Sequence, residues 1–241
     1  MAILRRSKDR KVTNAVTPGG AAAVANSFGL PSGNLYSCPA ETEVCGKVCY
    51  ASRIEKVRAA VRNILLDNFN LLRAMSREDM VSALSDMVSE FEAESDKRGA
   101  RRAFRIHWSG DFFSEEYALA WGDVIARHSG TQFWVYTRVA FAAVALHKAS
   151  LPNLALYFST DRANEPIGAM LRRTYGIRLA YLAETFQAGE GAMRSITGRP
   201  GAKCPENAGQ IDLITPEGSA CIRCGLCVDG KADVRFSVSK R

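Results

Sequence analysis

Gln132-Phe133-Trp134-Val135-Tyr136-Thr137-Arg138 sets the fold class. Phe133 to Thr137 are all aromatic or β-branched, and the run stops at a charged residue. Such a stretch packs well on a pleated, buried surface and reads as a strand. Three more stretches follow the same plan. Ala103-Phe104-Arg105-Ile106-His107-Trp108 ends in Ser109-Gly110-Asp111, and Leu154 to Phe158 ends in Ser159-Thr160-Asp161. Arg178 to Leu182 ends in Ala183-Glu184-Thr185. Helical segments near 115–127, up to Lys148, and near 167–173 separate the four. Strands alternating with helices predict an α/β fold, a partial TIM-barrel-like parallel sheet with crossover helices.

Parallel sheets gather ligands at the C-terminal ends of their strands, where loops and helix N-termini converge. Caps account for part of the polar residues there, Ser114 before Glu115 being one. Asp111, Arg138 and Asp161 are the candidate catalytic residues, because a charged group directly after a buried strand needs a reason to be there.

Outward toward the N-terminus, Ile54, Val57, Val61, Leu65, Phe69 and Leu72 recur at helical spacing, with Arg53, Lys56, Arg58 and Arg62 on the other side. That basic side is a phosphate contact or a solvated face. Ser76-Arg77-Glu78-Asp79 predicts a capping box for a second helix, whose Met80, Leu84, Met87, Val88 and Phe91 form a packing stripe. Residues 1–30 read as an irregular basic arm that becomes ordered where it meets the body, with Arg5, Arg6, Lys8, Arg10 and Lys11. Residues 31–50 read as loop, and the glycine-rich 186–203 as a second loop. The division is an arm (1–30), a body (31–200) and a Cys-rich C-terminal segment (201–241).

The seven cysteines form two groups. Cys38, Cys45 and Cys49 lie on the first loop, with gaps of six and three residues. Cys204 is followed at a distance by Cys221, Cys224 and Cys227, with two gaps of two residues. Thiolates are soft ligands that suit zinc or iron–sulfur clusters. Three cysteines in one run with a remote Cys204-Pro205 resemble ferredoxin-type ligation of a four-iron cluster, whereas zinc sites more often use two separated pairs. An iron–sulfur cluster of four-iron type is therefore expected, with zinc as the alternative. Three ligands in the first group leave a metal position open for chemistry. Among the histidines, His107 lies on a strand and within reach of a site, while His128 and His147 fall in helices.

The net charge of +7 favours polyanionic partners, nucleic acid first. An odd count of seven cysteines argues against a disulfide framework and for a reducing compartment. No apolar run approaches the roughly 18 residues of a membrane span, and the basic N-terminus does not read as a secretory signal. A cytoplasmic protein is expected.

The Cys38-Pro39 to Cys49-Tyr50-Ala51 stretch, Ser109-Gly110-Asp111, Trp134 to Arg138 and the terminal cysteines together resemble the "gene product 88" family of actinophage proteins. That resemblance implies a phage source and no firm activity. Three cysteines ending in Cys49-Tyr50-Ala51 before the first helix also resemble, at greater distance, radical S-adenosylmethionine enzymes with an auxiliary cluster. The second resemblance implies Cys38, Cys45 and Cys49 as ligands of a cluster whose open iron takes S-adenosylmethionine. It also places Tyr50 near the adenine, and Ser109 and Gly110 with Asp111 at the methionine amine. The gaps of six and three residues depart from that family's three and two. Two functions follow. One is a cluster-dependent enzyme of DNA or nucleotide metabolism. The other is a non-enzymatic regulator that binds a DNA-bound protein, such as a recombination directionality factor on a serine integrase. A zinc-stapled base-exchange transferase with Asp111 or Asp161 as nucleophile is a third.

Overall fold

The β-prone runs pair in sequence order. The computed structural model describes residues 3–7, 24–215 and 218–239. The body has β1 (Ala103–Ile106), β2 (Gln132–Thr137), β3 (Leu154–Thr160) and β4 (Arg178–Ala183), each parallel to the next. Ahead of them run α1 (Glu43–Val48), α2 (Tyr50–Val57), α3 (Ala59–Arg73) and α4 (Arg77–Lys97). The crossovers are α5 (Glu115–Arg127), α6 (Ala140–Lys148) and α7 (Glu165–Tyr175), followed by α8 (Phe186–Thr197). The C-terminal segment holds β5 (Ala202–Lys203), a small β6 (Ile214–Thr215) and β7 (Gly218–Ser219) pair, α9 (Ala220–Cys224) and β8 (Val234–Ser237). The six-stranded parallel sheet runs β1-β2-β3-β4-β8-β5 and is open, not closed into a barrel.

Alternation along each strand divides the interior in two. Phe104, Ile106, Phe133, Val135, Leu156, Phe158, Leu179 and Tyr181 face the helices and form the main core. Ala103, Trp134, Ala155, Tyr157 and Ala180 face the other way, and the C-terminal segment covers them with Val228, Cys204, Cys221, Ile222, Leu226 and Cys227. A parallel sheet with both faces covered is the arrangement its continuous apolar strands require.

Caps behave as the sequence predicts. Ser76 accepts from Asp79 N at 3.2 Å, and Ser114 accepts from Tyr117 N at 3.2 Å.

Other parts differ from the sequence reading. The helix expected after Cys49 is two helices, bent at Arg58, where φ is −128° and ψ is 84°. Residues 31–50 contain α1, capped by Thr42. The glycine-rich 186–203 is mostly α8. Gly189 there lets the helix close on the sheet, since a Cβ would stand 3.3 Å from Ala183 Cβ, and Gly198 ends it at φ 72°.

Residues 24–30 are not loose. Arg105 N donates to Asn26 O, Phe28 N to Arg105 O and Trp108 N to Phe28 O, all within 3.1 Å, which lays this stretch parallel to β1 as a further edge. Val24, Phe28 and Leu30 are fully buried. Arg5 pairs with Asp67, and Arg6 with Glu94 at 2.9 Å. Lys8, Arg10 and Lys11 of the expected arm, and Lys240 and Arg241, lie outside the described residues. No helix among the described residues is long and apolar enough to cross a membrane.

Candidate functional site

The edge stretch 24–30 runs into the first cysteine loop at the C-terminal end of the strands. Cys38 N donates to Gly33 O at 3.1 Å. Cys45 lies in the first turn of α1, its amide donating to Thr42 Oγ1 at 3.1 Å. Cys49 stands between α1 and α2, and its Sγ caps α2 by accepting from Ser52 N at 3.4 Å. All three thiols are half-buried and free. Burial pushes the Cys38 thiol's pKa up, with the negative fields of Asp111, Cys45 and Cys49 adding to it. Burial also pushes the Cys45 thiol up, and the Arg138 guanidinium pulls it back through its charge and a hydrogen bond. The three thiols therefore sit within one another's electrostatic reach, beside Arg138.

Asp111, Arg138 and Asp161 come together beneath that loop. The carboxylate of Asp111 accepts from Thr137 Oγ1 at 2.6 Å, Phe112 N at 2.8 Å and Arg138 N at 2.8 Å. Burial holds its carboxyl up at about 6 in spite of those bonds. The Arg138 guanidinium donates to Asp161 Oδ2 at 2.7 Å, and Thr42 Oγ1 donates to the same oxygen at 2.6 Å. Asp161 Oδ1 accepts from Ala163 N at 2.9 Å. The ends of β1, β2 and β3 are thus tied into one buried network that reaches the N-cap of α1. Their polar atoms hold the thiol loop in place, which makes these three positioning residues in geometry. Thr42, absent from the sequence candidates, completes the network; its only signal in sequence is a cap residue followed by Glu43.

Tyr50, Ser109 and Gly110 line the same corner. The Tyr50 hydroxyl donates to Trp108 O, and Ser109 Oγ donates to Glu55 Oε1 at 3.2 Å, so both tie α2 to the end of β1. Gly110 has φ 83°, and a Cβ there would meet Ser37 Oγ at 2.4 Å and Leu30 Cβ at 2.7 Å. It is a point of close backbone contact under the cysteine loop. His107 does not reach the site. It is buried on the helix side, with Nε2 2.8 Å from Tyr117 Oη and its ring 4.8 Å from that of Phe112.

A family profile described as "Gene product 88" matches residues 2–230, a span that holds all seven cysteines. The "Gene 88 protein" of Mycobacterium phage L5 is 52% identical over 245 residues, and that of Mycobacterium phage D29 is 50% identical over 246, each covering 100% of both chains. The chain belongs to the gene product 88 family. No solved structure matches it. These matches carry the phage resemblance; they lend nothing to the one with S-adenosylmethionine enzymes.

The second thiol group of this family member lies against the inner face of the sheet. Burial pushes the Cys227 thiol up to about 12, while a hydrogen bond from the Tyr136 hydroxyl and the charge of Arg105 oppose that, and Cys204 and Cys224 add to it. Arg105 Cζ stands 5.6 Å from the Tyr136 ring centroid. The Tyr157 hydroxyl donates to Ala232 O at 3.1 Å and to Leu226 O at 3.3 Å, which seats the Cys221–Cys227 turns on β3. Gly225 closes α9 at φ 65°, its amide donating to Cys221 O at 2.9 Å.

As the side chains stand, no three His, Cys, Asp or Glu among the described residues are arranged to hold a metal ion. The donor chemistry nevertheless fits a soft metal. The groups offer three and four thiols outside any disulfide, Cys38 feels the charge of Cys45 and Cys49, Cys227 that of Cys204 and Cys224, and each group has a hydrogen-bond donor aimed at one sulfur, Arg138 at Cys45 and Tyr136 at Cys227. Coordination requires the thiols of each group to turn toward a common centre. A cavity of about 680 Å³ opens elsewhere, at the N-terminal ends of β3 and β4. Arg172 in its wall is spent on Asp233 at 3.0 Å and on Gly176 O at 3.1 Å. No thiol lines that cavity, so the thiol loop, with its chemistry, is the better candidate.

Proposed function

We propose that the chain is a thiolate-ligated iron–sulfur protein, with Cys38, Cys45 and Cys49 as a three-ligand site and Cys204, Cys221, Cys224 and Cys227 as a four-ligand site. The observation that carries the reading is the first group. Three free thiols share one electrostatic neighbourhood on a loop whose anchor is a buried charged network at the strand ends. A structural staple needs four ligands; three leave one metal position for a further molecule. Such a centre, when bound, supplies one-electron transfer, and S-adenosylmethionine is the candidate for the open position. The chain's own residues do the positioning. Thr42 and Arg138 fix the start of α1, Ser37 and Gly110 brace the loop from below, and Tyr50 and Glu55 hold α2 against Ser109 and Trp108. Zinc is the competing occupant of the four-thiol group.

Anaerobic purification with iron, sulfide and zinc analysis tests this. Iron and sulfide in excess of zinc, with broad visible absorption, are expected. Stoichiometric zinc without sulfide, or a metal-free protein, overturns it. Cleavage of S-adenosylmethionine by the reduced protein tests the open position separately.

A second reading is a regulator that binds a DNA-bound protein, such as a serine integrase, with metal only as a staple. The state of Asp111 and Asp161 favours it, since both carboxylates are committed to internal hydrogen bonds. Binding to integrase without turnover of any small molecule is its signature.

A further inference from the structure

We infer that the elbow between α2 and α3 is a docking surface for a single nucleic-acid strand. Arg58 breaks the helix with non-helical backbone and no side-chain cap, and residues 56–60 are all exposed. Val57 is 77% exposed, which a core-facing helical residue would not be. Lys47, Arg53, Lys56, Arg58 and Arg62 are exposed too, and none makes an ion pair or side-chain hydrogen bond among the described residues. Elsewhere the fold answers many of its arginines with carboxylates, as at Arg77–Asp123 (2.8 Å) and Arg235–Glu190 (2.9 Å). Between Val44 and Leu66 the only acid is Glu55. Its Oε1 is turned inward, accepting from Ser32 N at 3.1 Å and Ser109 Oγ at 3.2 Å.

Two features favour a strand over an acidic polypeptide. Apolar and aromatic groups lie among the cations: Tyr50, three residues from both Lys47 and Arg53, is 43% exposed with its hydroxyl anchored, and the exposed Val57 stands between Lys56 and Arg58. Cations that follow a phosphate backbone, interleaved with rings on which bases stack, are what a single-strand binder uses. Repulsion among unpaired cations on adjoining turns is also relieved by a regularly charged polyanion. The surface adjoins Cys49 and Tyr50 but rests on no metal, so it goes beyond the proposed function.

The test is fluorescence anisotropy with a labelled oligothymidylate of about 20 nucleotides, longer than one such site, against the matching duplex and polyglutamate. The parent should prefer the single strand. Its log K should fall against log salt with a slope of about −0.7 per phosphate contact. Arg53→Glu/Lys56→Glu/Arg58→Glu should weaken binding at least about tenfold and flatten that slope by roughly 0.7 per lost contact. The exposed pair Arg127→Glu/Arg173→Glu, on other helices, should leave both unchanged. Circular dichroism and iron content, measured on every variant, separate this surface from folding and from the metal reading. Tighter binding of duplex or polyglutamate, no binding at low salt, or equal losses in both variants would overturn the inference.

Discussion

The Arg138 guanidinium and the Asp161 carboxylate meet at 2.7 Å, 8% and 0% exposed. They join the end of β2 to the end of β3, and the Asp161 oxygen that takes Arg138 also takes Thr42, the N-cap of the helix that carries Cys45. A buried ion pair of this kind is weak evidence for net stability, but breaking it leaves an uncompensated charge. Arg138→Met should therefore destabilise the fold by about 3–5 kcal/mol, and Asp161→Asn by a similar amount. The double variant should lose less than the sum, because neither charge is then stranded. Denaturant unfolding of the three variants measures this, and hydrogen exchange at residues 42–49 should rise in each.

Gly110→Ala tests the close contact under the cysteine loop. The new Cβ would overlap Ser37 and Leu30, and the backbone has φ 83°. Strain and overpacking together should cost roughly 2–4 kcal/mol. Adding Ser37→Ala removes one clash and leaves Leu30 and the dihedral angle, so recovery should be partial. A thermal melt that matches the parent's would sink this account.

His107 predicts an acid limb. Burial holds its imidazole neutral in the fold, with the pKa down at about 3, and Arg105 adds to the effect. The unfolded chain takes up a proton near pH 6.5, and the fold does not until far lower. The stability His107 supports is present above pH 6.5. It is lost as pH falls toward 3, with a slope of up to about 1.4 kcal/mol per pH unit. His107 also sits at φ 62°, a conformation asparagine tolerates. His107→Asn should be less stable at neutral pH, through lost packing, and should flatten the dependence between pH 6 and 4. Unfolding free energies across that range decide it.

What the sequence made legible follows from how locally each feature is encoded. The four body strands fall in runs rich in aromatic and aliphatic residues that alternate with helical segments, and three of those runs lead to Asp111, Arg138 and Asp161, so the sheet could be placed and the three charges singled out before any contact was known; their union in one buried network rests on contacts between distant residues. The edge stretch 24–30 is built of small residues around Phe28 and Leu30, and only its hydrogen bonds to β1 reveal it. β8 is four residues of mixed polarity held between β4 and β5, so its pairing partners define it. Glycine hides α8, because Gly189 serves its approach to the sheet and not its propensity. Thr42 and Glu55 act on residues far along the chain, which one sequence cannot show.

The two thiol groups should load independently. They belong to different parts of the fold: Cys38, Cys45 and Cys49 hang from the edge stretch and α1, while Cys227 and its neighbours are seated on Tyr136 and Tyr157 of the inner face. Substitution in one group leaves the ligands and supports of the other untouched, and additivity holds for sites that share no partners. Cys45→Ala should remove the metal of the first group and leave that of the second. Cys224→Ala should do the reverse, and the double variant should bind neither. Cys224→Ala should also lower the melting temperature more, because its segment covers an apolar sheet face that closed ligation, on the proposed reading, would hold down. Metal and sulfide analysis of the three variants reads this directly. Loss of all metal from either single variant would show one shared site and refute the division.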